Sequence, residues 1–249
     1  MSLVSVNILT KNRAQLLARA LKSVACQNFR DYEVVLINDG STDETASVIE
    51  RFKKQGMPLR DINHEQSKGK IFSRNEALKE SSGKYVAPLD DDDEWVDEHK
   101  LQKQVDYFQK NPDAVLTGGG IIMIDAGRPV GARFRAENDK EIRPTMLLRN
   151  NFFTSTVMFK REEALKSGGF LPGRRDEAED YGLWLRLGKQ GKMYNFQEVF
   201  TNYTVPHYNK ERFRSILREQ LEQMQINRAG YPNFHLAKII LKLRIIAGF

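Results

Sequence analysis

The sequence predicts an α/β fold in which a mostly parallel sheet is covered by helices on both faces. Three observations carry that expectation. Short apolar runs alternate with stretches of helical periodicity; the runs "VVLI" and "YVAPL" are continuously apolar, as strands buried on both faces must be; and a polar segment follows each run.

The first strand is "LVSVNIL", followed by "NRAQLLARALKSVACQ", where Leu16, Leu17, Ala20, Leu21 and Val24 mark one helical face. The unit repeats as "YEVVLIN" and "STDETASVIERFKKQG". Ser41 or Thr42 is placed to cap that helix, and Asp43 and Glu44 suit the positive end of its dipole. A third apolar piece, Pro58 to Ile62, precedes the helical "GKIFSRNEALKESSG", and "KYVAPL" is the fourth strand. A helix over Asp97 to Lys110 leads to strands "AVLTGGGIIMID" and "NFFTSTVMFKR". Helices from Arg161 to the Gly168-Gly169 stop and from Glu179 to Gln190 follow, and short strands around Met193 to Tyr203 close the core. The chain divides into a main domain, 1–205, and a C-terminal helical extension, 206–249.

With 249 residues, 40% of them apolar, the chain can bury a substantial core. The single Cys26 excludes an intrachain disulfide framework, and the opening run Leu3 to Leu9 is far too short to span a bilayer. A reducing, cytoplasmic setting is the expectation. The formal charge of +6 suits many anionic partners and selects none. Acid gathers instead at Asp90 to Glu98 and at Asp176 to Asp180, and without a basic-aromatic face nucleic acid is not an expected partner.

In sheets of this kind ligands bind beyond the carboxyl ends of the strands, which selects Thr10 to Arg13, Asn38 to Asp43 and Asp90 to Glu94. The run "LDDDDEW" is the most demanding. Two carboxylates about 6 Å apart repel by roughly 3 kcal/mol at an effective dielectric near 20, so a cation or water must relieve it. Carboxylates at i and i+2 of a strand end suit Mg²⁺ or Mn²⁺, which bind through one or two such groups plus substrate phosphate oxygens. A solvated helix start accounts equally well for Asp92, Asp93 and Glu94. Similarly "NDGSTDE" is either a plain turn or a loop in which Asp39 accepts from a ligand and Gly40 allows close approach. Neither GxGxxG nor GxxxxGK[ST] occurs, so ordinary dinucleotide and P-loop readings lack their phosphate cradle.

Taken in order, "VSVNILTKNR", "YEVVLINDGSTDET", "SKGKIFSRNEAL", "GKYVAPLDDDDEW" and "DEAEDYGLWLRL" resemble the family 2 glycosyltransferases over residues 3 to 205. That resemblance implies a GT-A fold, a Rossmann-like nucleotide-sugar-binding sheet, and inverting transfer from a nucleotide sugar, usually a UDP-sugar, to a glycan or lipid-linked acceptor. It implies that Thr10, Asn12 and Arg13 line the nucleotide pocket and that Asp39 bonds the base. Lys68 falls at the glycine-rich turn facing nucleotide and sugar, and Arg74 with Asn75 matches an "ARN" element in which Ser73 replaces alanine. Asp90 is implied at ribose or donor sugar and Asp92 at Mn²⁺ or Mg²⁺, with Asp91 and Asp93 as lesser candidates and Trp95 as a packing residue. The general base is implied in the Glu179-Asp180 pair, which alone would read as first-turn helix carboxylates. Two departures stand out: Thr204 replaces an arginine in "YTVPH", leaving His207 as a candidate metal or diphosphate contact, and Gly182 stands where another acid is frequent.

A rival class is a nucleotide-sugar-binding module without turnover, against which Asp90, Asp92 and Asp180 all argue. The tail "FHLAKIILKLRIIAGF" has a wide apolar face with Lys238, Lys242 and Arg244 toward its polar side. It suits a lipid surface, giving a protein peripheral to the inner face of the membrane, or equally packing against the core or a second subunit.

Overall fold

Alternation along the first two strands decides which helices cover which face. In β1 (Val4–Thr10) the residues Val4, Val6 and Ile8 enter one core with Leu17, Leu21 and Val24 of α1 (Ala14–Ala25). In β2 (Tyr32–Asn38), Val34 and Leu36 join that core and pack with Ile49 and Phe52 of α2 (Thr45–Lys54). The intervening Val35 and Ile37 face the other way. After β3 (Leu59–Asn63), α3 (Lys70–Glu80) meets them through Ala77. The structure, a computed structural model, describes residues 2–173 and 177–247.

The chain continues through β4 (Tyr85–Asp90), β5 (Glu94–Trp95), α4 (Lys100–Lys110), β6 (Ala114–Asp125), β7 (Arg128–Arg133) and a short α5 (Asp139–Ile142). β8 (Met158–Lys160), α6 (Arg161–Lys166), α7 (Glu179–Leu187) and β9 (Lys192–Thr204) complete the sheet, and α8 (Lys210–Asn227) and α9 (Phe234–Ala247) follow. Strand order is β3-β2-β1-β4-β8-β6-β9-β5, with β7 on β6. The first four are parallel, β8 runs antiparallel between β4 and β6, and β9 is parallel to β6. The predicted α/β architecture is therefore present.

Several elements differ from expectation for identifiable reasons. Asp43, not Ser41 or Thr42, satisfies the start of α2: its carboxylate accepts from Thr45 N–H and also from Ala14 N–H of α1. Within "NFFTSTVMFKR" only Met158–Lys160 is strand. Thr154–Thr156 form a 3₁₀ turn, because the Ser155 and Thr156 hydroxyls are spent on Asp93 and on the Phe153 carbonyl. β7 has no apolar signal: all six residues are exposed and include Pro129 and Gly131, and it exists because β6 offers a free ladder. β9 is one long strand instead of short pieces.

The tail is also more integrated than an appended extension. Met224 of α8 and Ala237 of α9 share a core with Tyr181 and Trp184 of α7. The outer side of α9 leaves Leu236, Ile239, Leu243 and Ile246 exposed. No helix among the described residues is long and apolar enough to cross a membrane.

Lys100 opens α4 with no exposed surface, its Nζ donating to Gln104 Oε1 at 2.8 Å and lying 4.2 Å from the centre of the Trp95 ring. Burial holds its pKa well below the ordinary lysine value. Between the depressed folded value and the unfolded value near 10.4, the unfolded chain binds the extra proton, so stability rises with pH in that window. Lys100→Met, of similar length, is expected to flatten this rise, as read by urea unfolding between about pH 7 and pH 9.5; parallel pH profiles in the two proteins would show that Lys100 is charged when folded.

Candidate active site at the carboxyl edge of the sheet

Register brings the sequence-selected loops to one edge. Thr10 pairs with Asn38, Asn38 with Asn63, and Leu9 with Asp90, so the residues that leave β1, β2, β3 and β4 emerge side by side. They border a cavity of about 460 Å³ whose wall includes Thr10, Arg13, Asp39, Arg74, Asp90 and Asp92. A wider depression, about 640 Å³, lies on one outer face of α2 between Ala46 and Gln55 and brings together no side chains from different elements.

Asp39 is buried, and both carboxylate oxygens are occupied. Oδ1 accepts from Lys68 N–H at 2.8 Å and lies 2.7 Å from His64 Nδ1; Oδ2 accepts from Ser67 Oγ at 2.6 Å and Gly69 N–H at 3.2 Å. These bonds hold its pKa far below the usual carboxylate range although burial opposes them. Asp39 thus shapes the 64–69 loop. Gly40 permits the approach: its φ is +76°, and a Cβ there would stand 2.9 Å from the Ser67 nitrogen. His64 extends the chain to Glu76, 2.6 Å from its Nε2.

The other nucleotide-side candidates divide. Thr10 and Arg13 line the cavity. Asn12, in the left-handed region at φ +53°, accepts from Thr42 N–H through Oδ1 and donates its own N–H to Ser41, tying two loops together behind the wall. The Lys68 ammonium lies over the Phe72 ring, off the cavity, and Lys70 reaches the wall instead. Sequence reasoning missed Lys70, although its place directly after Gly69, at the first turn of α3, was visible. Tyr208 on the opposite rim was missed because it lies beyond the last strand, where no periodicity points to it.

The four aspartates separate by side. Asp93 is almost fully buried, with Oδ2 accepting from Ser155 Oγ at 2.6 Å and Oδ1 from Thr204 N–H at 2.8 Å. Asp91 is also buried and pairs with Arg13 Nη1 at 2.8 Å. The Asp90 and Asp92 side chains keep 37% and 32% exposure and face the cavity. Asp90 meets Arg74 Nη2 at 2.8 Å, and Asp92 meets Arg13 Nη1 at 3.1 Å. Burial raises Asp91 to about 6 despite Arg13, and burial with the charge of Asp90 raises Asp92 and Asp93. The run carries more negative charge than its neighbours neutralise.

A divalent cation suits this arrangement. The donors are hard oxygens and the charge is in excess. Among the described residues no three His, Cys, Asp or Glu side chains form a cage, so the remaining ligands would be phosphate oxygens of a substrate or water. His207 is not brought to the acidic run. β9 follows β6 as far as Thr204 opposite Ile124, so the residue just past its end meets Asp125, 2.9 Å from His207 Nε2, and the ring is mostly exposed. Thr204, in the place of the family's arginine, instead bonds Asp92 and Asp93 and braces the acidic turn.

A second cavity, about 250 Å³, shares Lys70, Arg74, Asp90 and Tyr208 with the first and adds Glu179 and Asp180 from the start of α7. Glu179 is buried and clamped, 2.8 Å from Lys70 Nζ and 3.2 Å from Arg74 Nε; burial raises its pKa while Arg74 opposes the rise. Asp180 is held more lightly, its Oδ2 accepting from Thr154 Oγ1 at 2.8 Å. Arg135, Phe153, Thr154 and Tyr203 complete the wall, none of them singled out by sequence. Gly182 also gains a reason. A Cβ there would fall 2.3 Å from Gln223 Oε1 of α8, so any side chain at this position requires the Gln223 amide to shift. Trp95, buried and donating to the Ser155 carbonyl, is a packing residue.

The geometry agrees with comparison to known proteins. The model of "Glycosyl transferase family 2" matches residues 5–182. Among relatives, the chain is 37% identical over 211 residues to a GalNAc(5)-diNAcBac-PP-undecaprenol beta-1,3-glucosyltransferase of Campylobacter jejuni, covering 81% of this chain and 64% of that one. It is 28% identical to the Escherichia coli UDP-Glc:alpha-D-GlcNAc-diphosphoundecaprenol beta-1,3-glucosyltransferase WfaP, covering 88% and 84%. The S. aureus TarS 1-349 structure in complex with UDP-GlcNAc superposes with a TM-score of 0.75 at 19% identity, covering 99% of this chain and 73% of that one. The Pyrobaculum calidifontis mannosyltransferase PcManGT, in complex with GDP-Man and Mn²⁺, does so with 0.72 at 19% identity, covering 98% and 69%. With the family model spanning most of its length and the GT-A fold in common with these structures, this chain belongs to the family 2 glycosyltransferases.

Proposed function

We propose that this glycosyltransferase uses a divalent metal and inverts the anomeric centre as it moves a sugar from a UDP-sugar to a hydroxyl of a lipid-linked glycan in cell-surface polysaccharide synthesis. The observation that carries the reading is the meeting of the two cavities at Lys70, Arg74, Asp90 and Tyr208, with Asp92 on one side and Asp180 on the other. Thr10, Arg13 and Asp39 border the nucleotide side, Asn12 ties the loops after β1 and β2 together, and the Lys68 N–H holds Asp39. Asp92, with Asp90 beside it, would hold Mn²⁺ or Mg²⁺, which when bound offsets the charge of a departing diphosphate.

The acceptor occupies the second cavity. Asp180 takes the proton of its hydroxyl, the freed oxygen pair forms the new bond to the anomeric carbon, and the bond to the diphosphate breaks on the opposite face with its electrons passing to that leaving group. Glu179 is a positioning residue in this scheme. Its two oxygens are committed to Lys70 and Arg74, and through them it orients the cations that border both cavities.

The tail supports a position at a lipid surface. Leu236, Ile239, Leu243 and Ile246 form an exposed stripe, and among the described residues Lys238 and Lys242 beside it form no ion pair. The relatives described as acting on undecaprenol diphosphates suggest why such attachment is useful. A cytoplasmic protein peripheral to the inner face of the membrane follows.

Asp180→Asn is expected to lower turnover by roughly 10² to 10⁴ while donor binding is kept; unchanged turnover would remove Asp180 as the base. Asp92→Ala is expected to abolish the extra thermal stabilisation that Mn²⁺ gives to the UDP complex. If wild-type protein binds UDP equally well with and without Mn²⁺, the metal-dependent reading fails. Ile239→Glu combined with Leu243→Glu is expected to stop flotation of the full chain with anionic vesicles. Equal behaviour of the two proteins would set the lipid assignment aside, and point substitution is preferred because truncation would also remove the buried Ala237 and Leu241.

A further inference from the structure

Among the described residues one cation of the second cavity, Arg135, forms no ion pair. Arg135 lies in the segment after β7, and its guanidinium carbon stands 4.7 Å from the centre of the Phe153 ring. Its Nε is shut off from solvent and bonds nothing, and among the described residues its guanidinium forms no hydrogen bond and no ion pair. Stacking on Phe153 keeps the planar group oriented but satisfies none of its N–H donors.

Among the described residues none of the four carboxylates of the same cavity pairs with Arg135: Asp90 meets Arg74, and Glu177 is held through Oε1 while its Oε2 is buried without a hydrogen-bond partner. Glu177 pairs with Arg212, Glu179 with Lys70 and Arg74, and Asp180 accepts from Thr154. The charges that do act on Arg135 have its own sign. Burial and the nearby Arg149 and Arg133 together lower its pKa, and neither of those arginines has an acidic partner among the described residues. Among the described residues none of these three arginines forms an ion pair, and their charges repel one another. An oriented, partly desolvated guanidinium without an ion-pair partner is a site for a planar or tetrahedral oxyanion, which it can engage through two parallel N–H bonds.

We propose that Arg135, with Arg133 and Arg149 behind it, forms a subsite for an anionic oxygen group on the acceptor, beside the hydroxyl that faces Asp180. The group is a phosphate ester, as in a lipid-linked sugar, or the carboxylate of an acidic sugar. This rests on the reading of the second cavity as the acceptor side. It adds that the acceptor is recognised by charge, away from the reacting hydroxyl, and that neutral acceptors lose that contact.

The test uses the full chain saturated with UDP and Mn²⁺, so that the donor side is filled, and titrates phenyl phosphate, glucuronate and neutral methyl glucoside separately by calorimetry. At least one anion is expected to bind well above methyl glucoside. Arg135→Gln is expected to weaken it by roughly ten-fold or more, in line with loss of a charge-assisted pair. Arg149→Gln, on an exposed side chain, is expected to weaken it less while leaving the melting temperature unchanged. Preference for phenyl phosphate assigns a phosphate ester, and preference for glucuronate assigns an acidic sugar. Absence of anion binding, or equal affinity in wild type, Arg135→Gln and Arg149→Gln, overturns the subsite. Failure of UDP to bind instead defeats the donor assignment, and the anion titrations without nucleotide then still decide the role of Arg135.

Discussion

Four consecutive carboxylates at the end of one strand are the constraint around which the site is arranged. Left in contact they repel, and the structure meets this by giving each a different environment. Asp91 and Asp93 turn inward, where Arg13, Ser155 and the Thr204 backbone answer them. Asp90 and Asp92 remain at the cavity and share the guanidinium groups of Arg74 and Arg13. The loop after β1, the helix α3, the 3₁₀ turn before β8 and the end of β9 thus all contribute a group to the same four residues. Arg13 touches Asp91 and Asp92 through a single nitrogen and is half-exposed, so solvent screens both contacts.

Arg74 links this constraint to the second cavity. Its Nη2 reaches Asp90 and its Nε reaches Glu179, so one buried guanidinium is shared between the end of β4 and the start of α7. Those segments are distant in sequence, and the charges of Asp90 and Glu179 raise the Arg74 pKa against the effect of burial. A buried charge of this kind is stabilising only while both partners remain, since removing either leaves an uncompensated ion in low dielectric. The two cavities are therefore electrostatically linked through one buried residue.

Much of this was legible in the sequence, for a physical reason. Strands buried on both faces and helices with one apolar stripe write their identity into local hydrophobic period, and β1, β2 and β4 with α1, α2 and α4 are of that kind. The loops that end those strands followed, because parallel register fixes where they emerge. What was not legible depends on partners distant in sequence. β7 has no apolar period and is paired with β6; the acidic run gave no local sign that Asp93 would be claimed by Ser155 and Thr204; and His207, although it follows Thr204 closely, turns to Asp125. Lys70 illustrates the intermediate case, two residues from the expected Lys68 but on the side of the turn that faces the cavity.

The tail shows how far a remote element can set a position in the core. Met224, Tyr231 and Ala237 complete the apolar surroundings of Tyr181 and Trp184, and Gln223 fills the space above Gly182. The first turn of α7 is therefore packed from outside by α8 while its Glu179 and Asp180 face the cavity. A longer side chain at 182 would first meet the end of the Gln223 side chain and displace its amide. Glycine at this position fits the way α8 packs on α7, and the same docking leaves the other side of α9 facing outward with its apolar stripe and with Lys238 and Lys242, which form no ion pair among the described residues. One set of contacts fixes the acceptor-side carboxylates and orients the surface that would meet a lipid-linked acceptor, so the two features are expected to be retained or lost together.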